Sequence, residues 1–137
     1  MSYIISNAFI FRPDCNFHTD NIYTSSEFIT GESSSDAKII DAQNLYIIPG
    51  LTDIHFHGCK GHDFCEGTIE SLKAITEYQN SIGVANICPA SMTLSEIELT
   101  RIMQNAAKFH EICPSFVGIN LEGPFISTAK KGAQNPS

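Results

Sequence analysis

The chain has 137 residues, 42% hydrophobic and 17% charged, a size and balance that suit about one ordinary globular domain. Eight basic against 15 acidic residues give a net charge of −7 with no basic run or stripe, which argues against a nucleic-acid partner. No apolar stretch is long enough to span a membrane, and the N-terminus lacks the charged start and apolar run of a signal peptide, so no membrane partner is expected.

The first 48 residues read as short strands and turns. "SYIISNAFIFR" is β-branched and aromatic and breaks at Pro13-Asp14. "NIYTSSEFITG" reads as a second strand closed by Gly31, "ESSSDAK" as a polar loop, and "KIIDAQNLYIIPG" as two short apolar runs stopped at Pro49-Gly50. No helical period occurs here.

After Gly50 the pattern changes. "LTDIHFHG" reads as a short strand. A helix is predicted next, with Ile69, Leu72, Ile75, Tyr78 and Ile82 near helical spacing, Thr68 as N-cap and Gly83 just past the end. "VANICPA" is the next strand. A second helix follows, with Ser95 and Glu98 at capping-box spacing and Leu99, Ile102, Met103, Ala106 and His110 on one stripe. "FVGINLEGPF" reads as a third strand ended by Gly123-Pro124. The order β-α-β-α-β implies an α/β fold with parallel strands and crossover helices. Three strands and two helices are too few to close a (β/α)₈ barrel, so the chain is expected to be the front of a larger protein, a small autonomous domain being the alternative.

The stretch "LTDIHFHGCKGHD", residues 51–63, crowds three histidines, a cysteine and two aspartates together. On a strand, side chains alternate faces, so Asp53, His55 and His57 would share a side, and two imidazoles at i and i+2 can grip one divalent cation. Sites in parallel α/β folds gather at the carboxyl ends of strands. His57 stands at that end of the first predicted strand and Glu122 at that end of the third, so Glu122 is the expected third ligand. The alternatives are histidines that only hydrogen-bond, and a Glu122 that caps a helix or pairs with Lys130 or Lys131. Asp53 is read as a hydrogen-bonder beside the histidines. Cys59 and His62 could join them in a structural zinc site, which the glycines at 58 and 61 disfavour. His18 and His110 are expected to have no catalytic duty. "KKGAQNP", residues 130–136, suits an anionic or hydroxyl-rich ligand, or is a solvated loop. The five cysteines are scattered with no CxxC pair, which fits free thiols in a reducing cytoplasm, each a small buried hydrophobe.

Three motifs align with one family. "PGLTDIHFHGCKGHD" resembles the opening of the amidohydrolase superfamily, "LEGPFISTAKKGAQNP" the signature of N-acetylglucosamine-6-phosphate deacetylases, and "GVANICPASMT" that family's second barrel strand and following loop. The resemblance covers most of residues 45–137 and implies the N-terminal portion of such an enzyme. Residues 1–48 would be part of a small β-sandwich domain and residues 49–137 the first βα units of a TIM-like barrel. It implies a metal-dependent hydrolase that removes acetate from an amino-sugar phosphate, a small-molecule partner, and a homo-oligomer when full length. It implies a divalent cofactor, zinc first and iron or manganese as alternatives, with His55, His57 and Glu122 as ligands. Ala133 and Gln134 would contact the sugar, although histidine is commoner than glutamine at the latter position. The family's catalytic aspartate and later histidine ligands have no counterpart here, so the chain is expected to be inactive alone. A truncated non-catalytic remnant, or a dihydroorotase-like or deaminase-like amidohydrolase, are the competing readings.

Overall fold

The computed structural model describes residues 1–135; Pro136, the last residue of the predicted binding loop, lies outside them. The chain divides into two compact units, Met1–Pro49 and Gly50 onward.

The first unit is a five-stranded sheet. β1 (Ser2–Phe11) forms an antiparallel hairpin with β2 (Phe17–Ser25), and β3 (Phe28–Thr30) adds to the outer edge of β2. β4 (Lys38–Asp41) and β5 (Tyr46–Ile47) both run parallel to β1 on its other edge. The segment "NIYTSSEFITG" is therefore two strands and not one. A turn at Ser26, with φ +53°, folds β3 back onto β2. β1 carries a bulge where its register slips between Ile5 and Ala8. Asn7 sits there at φ +64°, and its amide donates to Asp41 Oδ1 at 3.1 Å. Ala8, Ile10 and Ala42 form a small buried core.

The second unit begins with β6 (Leu51–Asp53), which pairs in parallel with β9 (Val84–Ile87). Between them lie a two-residue-per-strand hairpin, β7 (Gly58–Cys59) and β8 (His62–Asp63), a 3₁₀ turn at Phe64–Glu66, and the crossover helix α1 (Ile69–Ser81). Lys60 and Gly61, at φ +56° and +81°, make the hairpin turn. Thr68 Oγ1 accepts from Ser71 N and so caps α1, and Gly83 at φ +92° stands just beyond its end. α2 (Glu96–His110) opens with the full Ser95/Glu98 capping box.

The core of this unit gathers Phe64, Leu72, Ile75, Ile87, Ile102 and Phe116. Burying each such side chain is worth about 1.5–3 kcal/mol. The predicted stripes shift slightly in the folded chain. On α1, Ser71, Thr76 and Gln79 are buried beside Leu72 and Ile75, while Ile82 is exposed. On α2, Phe109 and not His110 ends the buried face.

Three predicted strands are shorter than expected, the second of them, "VANICPA", keeping only Val84–Ile87 as β9. The first stops at Asp53 because its own carboxylate takes the His55 N–H at 3.1 Å, which removes that donor from the ladder. The segment stays aligned with its neighbour all the same, since Cys88 N donates to Asp53 O and Ala90 N to Phe56 O, both at 2.8 Å. The third is no continuous strand. It touches the sheet through two parallel bridges, Ile87 with Phe116 and Ala90 with Asn120. Pro89, between those bridges, has no N–H to offer.

Candidate metal centre

The stretch from Ile54 to His57 leaves β6 at its carboxyl end, and the stretch from Asn120 to Glu122 arrives beside it from the far side of the Cys88–Ser91 segment. Their side chains meet. Nε2 of His55 lies 3.5 Å and Nε2 of His57 3.4 Å from Oε2 of Glu122. The two rings stand edge to face, with centroids 5.3 Å apart. Ligand atoms of all three residues fall within 4.8 Å of one another, and theirs is the one such cluster among the described residues. All three keep partial solvent access.

Donors about 2.1 Å from the centre of a tetrahedron are about 3.4 Å apart. The two nitrogen–oxygen separations match that edge, so the residues present fit a divalent cation. Two imidazoles and a carboxylate are the donor set of zinc and its first-row neighbours. His57 is held for such a role. Its Nδ1 lies 3.2 Å from the Ala90 carbonyl, which can only accept, so Nδ1 carries the proton and the Nε2 lone pair faces Glu122. His55 is held differently. Asn120 Nδ2 donates to Ile54 O at 2.9 Å and lies 3.2 Å from His55 Nδ1. That contact favours a proton on Nε2, so binding a cation there requires His55 to change tautomer and the Asn120 amide to turn.

Glu122 is fixed by its own backbone and by residues far away in sequence. Its N–H donates to Ser91 Oγ, and Thr93 Oγ1 donates to its carbonyl, each at 3.3 Å. Gly123 follows at φ +88°, and a Cβ there would stand 2.6 Å from Thr93 Oγ1, so only glycine fits this turn. Gln134 reaches back to the carboxylate, donating from Nε2 to Oε1 at 2.5 Å.

Apart from Gln134, the other predicted residues lie elsewhere. Asp53 accepts from the His55 backbone and stays out of the cluster. Cys59 Sγ lies near Ile75 O and His62 Nδ1 near Glu66 Oε2, so neither joins the two histidines. Lys131 donates to the Gly132 and Gln134 carbonyls and makes no ion pair with Glu122. Ala133 is exposed, whereas Gln134 is 8% exposed with its amide turned inward. His18 pairs with Asp14, and His110 bonds Phe116 O. Asn120, Ser91 and Thr93 had no signal in the sequence beyond their neighbourhood to the motifs. A groove of about 580 Å³ is lined by apolar residues such as Leu94, Leu99 and Phe125 together with polar ones such as Thr93, Glu96 and Lys131, and His55, His57 and Glu122 do not line it. The titratable cluster is the better guide to chemistry.

The fold and cluster define a mixed α/β chain that gathers two imidazoles and a carboxylate at the carboxyl edge of its parallel strands. No protein-family model matches it. In sequence it is 29% identical over 110 residues to the N-acetylglucosamine-6-phosphate deacetylase of Vibrio furnissii, covering 78% of this chain and 27% of that protein. It is 28% identical over 94 residues to the deacetylase of the same name from Bacillus subtilis, covering 64% of this chain and 24% of that one. In structure it aligns over 99% of its length with 38% of the Pasteurella multocida N-acetylglucosamine-6-phosphate deacetylase, at a TM-score of 0.90 and 20% identity. The Thermotoga maritima deacetylase matches over 96% of this chain and 35% of its own, at a TM-score of 0.81 and 25% identity. The chain thus resembles a part of N-acetylglucosamine-6-phosphate deacetylases, and it spans about a quarter of the length of the curated relatives it matches.

Proposed function

We propose that this chain is the N-terminal, metal-binding portion of a deacetylase that hydrolyses the acetamide of N-acetylglucosamine 6-phosphate. The observation that carries the reading is the convergence of His55, His57 and Glu122 on one point, at separations that suit a single cation. In this reading the second unit, with β6, α1, β9 and α2, is the opening of a (β/α)₈ barrel, and residues 1–48 belong to a small β domain. Zinc is the favoured ion, with iron or manganese as alternatives.

The ion, when bound, supplies Lewis acidity at the amide carbonyl. His57 presents Nε2 because Ala90 holds the proton on its other nitrogen. Glu122 brings negative charge to the same point through Oε2. Exposed Ala133 lies in the loop proposed to meet the sugar. No residue of this chain is assigned to proton transfer, so the 137 residues alone are expected to release no acetate. The free cysteines fit a cytoplasmic setting, and no helix among the described residues is long and apolar enough to cross a membrane.

The test is a chimera in which these residues replace the matching segment of the Bacillus subtilis deacetylase, assayed for acetate release from N-acetylglucosamine 6-phosphate. Activity is expected, and its loss in Glu122→Ala. A folded, zinc-loaded chimera that releases no acetate would contradict the proposal, as would acetate release by the chain alone.

A further inference from the structure

Gln134 stands twelve residues beyond Glu122, in a loop expected to face the ligand, yet its side chain points into the protein. Both ends of its amide are used. Nε2 donates to Glu122 Oε1, and Oε1 accepts from Thr93 N at 3.1 Å. This pairing fixes which end is which. Turning the amide over would set its carbonyl oxygen against a carboxylate oxygen and its NH₂ against a backbone N–H. The backbone around it is also tied down, since Lys131 Nζ donates to Gln134 O and Gln134 N to Lys131 O, each at 3.1 Å. The two oxygens of Glu122 consequently have different duties: Oε1 is taken by Gln134, and Oε2 faces both histidines.

We infer that Gln134 is a positioning residue for the Glu122 carboxylate: it holds Oε1 so that Oε2 alone is offered to a divalent cation, and it does not contact the sugar. The inference rests on the metal reading proposed above. A hydrogen-bond donor on the outer oxygen of a ligating carboxylate orients it and limits it to one-oxygen binding, and removal of such a partner costs about 10–100-fold in metal affinity.

The experiment uses the 137-residue chain. Zinc is titrated by calorimetry into the wild type, Gln134→Met and Glu122→Ala, and cobalt(II) is substituted to read coordination number from its visible absorption. Gln134→Met keeps the length of the side chain and removes both hydrogen bonds. The expected result is a zinc affinity lowered about 10–100-fold and a weaker cobalt band, as Glu122 becomes free to bind through both oxygens. A merely structural role would change the melting temperature of the metal-free chain and leave the cobalt band alone. If that variant does not fold, Gln134→Glu keeps the acceptor for Thr93, replaces the donor by a carboxylate oxygen that repels Glu122 Oε1, and should show the altered cobalt band. Wild-type affinity and spectrum in a folded Gln134 variant, with binding lost in Glu122→Ala, would overturn the inference and leave the metal reading standing. Failure of the wild type to bind, or binding unaffected by Glu122→Ala, would overturn both.

Discussion

Replacing Gly58 by alanine tests how the candidate site is held. Gly58 follows His57 and pairs with Asp63 across the β7–β8 hairpin. A Cβ on it would meet the Asp63 Cα at 2.8 Å and the His62 carbonyl carbon at 3.0 Å, with the His62 oxygen closer still. These are backbone atoms, so no rotamer change relieves the contact, and the paired strands must part by more than half an ångström. Such overpacking costs about 1–3 kcal/mol, a sizeable share of the roughly 5–15 kcal/mol that holds a domain together. At an m-value of about 2 kcal/mol/M in urea, a loss of about 2 kcal/mol lowers the midpoint by about 1 M. The displacement also reaches the site, because His57 O accepts from Phe64 N at 2.7 Å directly beside the hairpin. Urea unfolding and zinc titration of Gly58→Ala should therefore show losses in both stability and affinity. Gly61→Ala is the control. It lies at φ +81° with no atom within 4 Å of an added Cβ, so it carries only the strain of a left-handed alanine, about 1–2 kcal/mol, and leaves zinc affinity unchanged. A Gly58→Ala chain with the midpoint and affinity of the wild type would show that the hairpin does not hold the site.

Two further outcomes are expected. Hydrogen bonds from Ser95, first from its side chain and then from its backbone, hold the Glu98 carboxyl below the usual glutamate value of 4.5. A group whose folded pKa is lowered contributes stability above its unfolded pKa and loses it as pH falls through the folded one. Helix melting followed by circular dichroism should thus show the advantage of wild type over Glu98→Gln disappearing below about pH 4.5; an advantage constant from pH 7 to pH 3 would contradict this. Burial pushes the thiols of Cys59, Cys65 and Cys88 upward, whereas Cys15 is exposed. Iodoacetamide labelling at pH 7.5, read by mass spectrometry, should modify Cys15 first, and equal rates at Cys15 and Cys65 would count against the packing described.

Much of this was legible in the residues themselves. Thr68 and Ser95 announced the two helices because a cap is a local bargain between one side chain and the nearest free N–H groups. The approach of Glu122 to the two histidines followed from a rule of address, strand ends on one edge, and needed no contact information. What escaped were events set by single atoms. Asp53 drew the His55 N–H out of the ladder and shortened β6, and the missing donor of Pro89 left the third predicted strand as two bridges. Ser26 split one apolar run into two strands. For Gln134 the family resemblance implies a sugar contact, and nothing in the sequence signals its bond to Glu122. Its amide turned inward because a carboxylate and a backbone N–H there lay within reach of its two ends.

X-ray absorption at the zinc edge of the loaded 137-residue chain reads the ligand set of the site itself. One ion per chain is expected, bound by nitrogen and oxygen at about 2.0–2.2 Å with the outer-shell pattern of two imidazoles, and lost in His55→Ala/His57→Ala. A sulfur shell at about 2.3 Å, or zinc retained in that double variant, would place the ion on the cysteines or elsewhere and contradict the proposed ligand set.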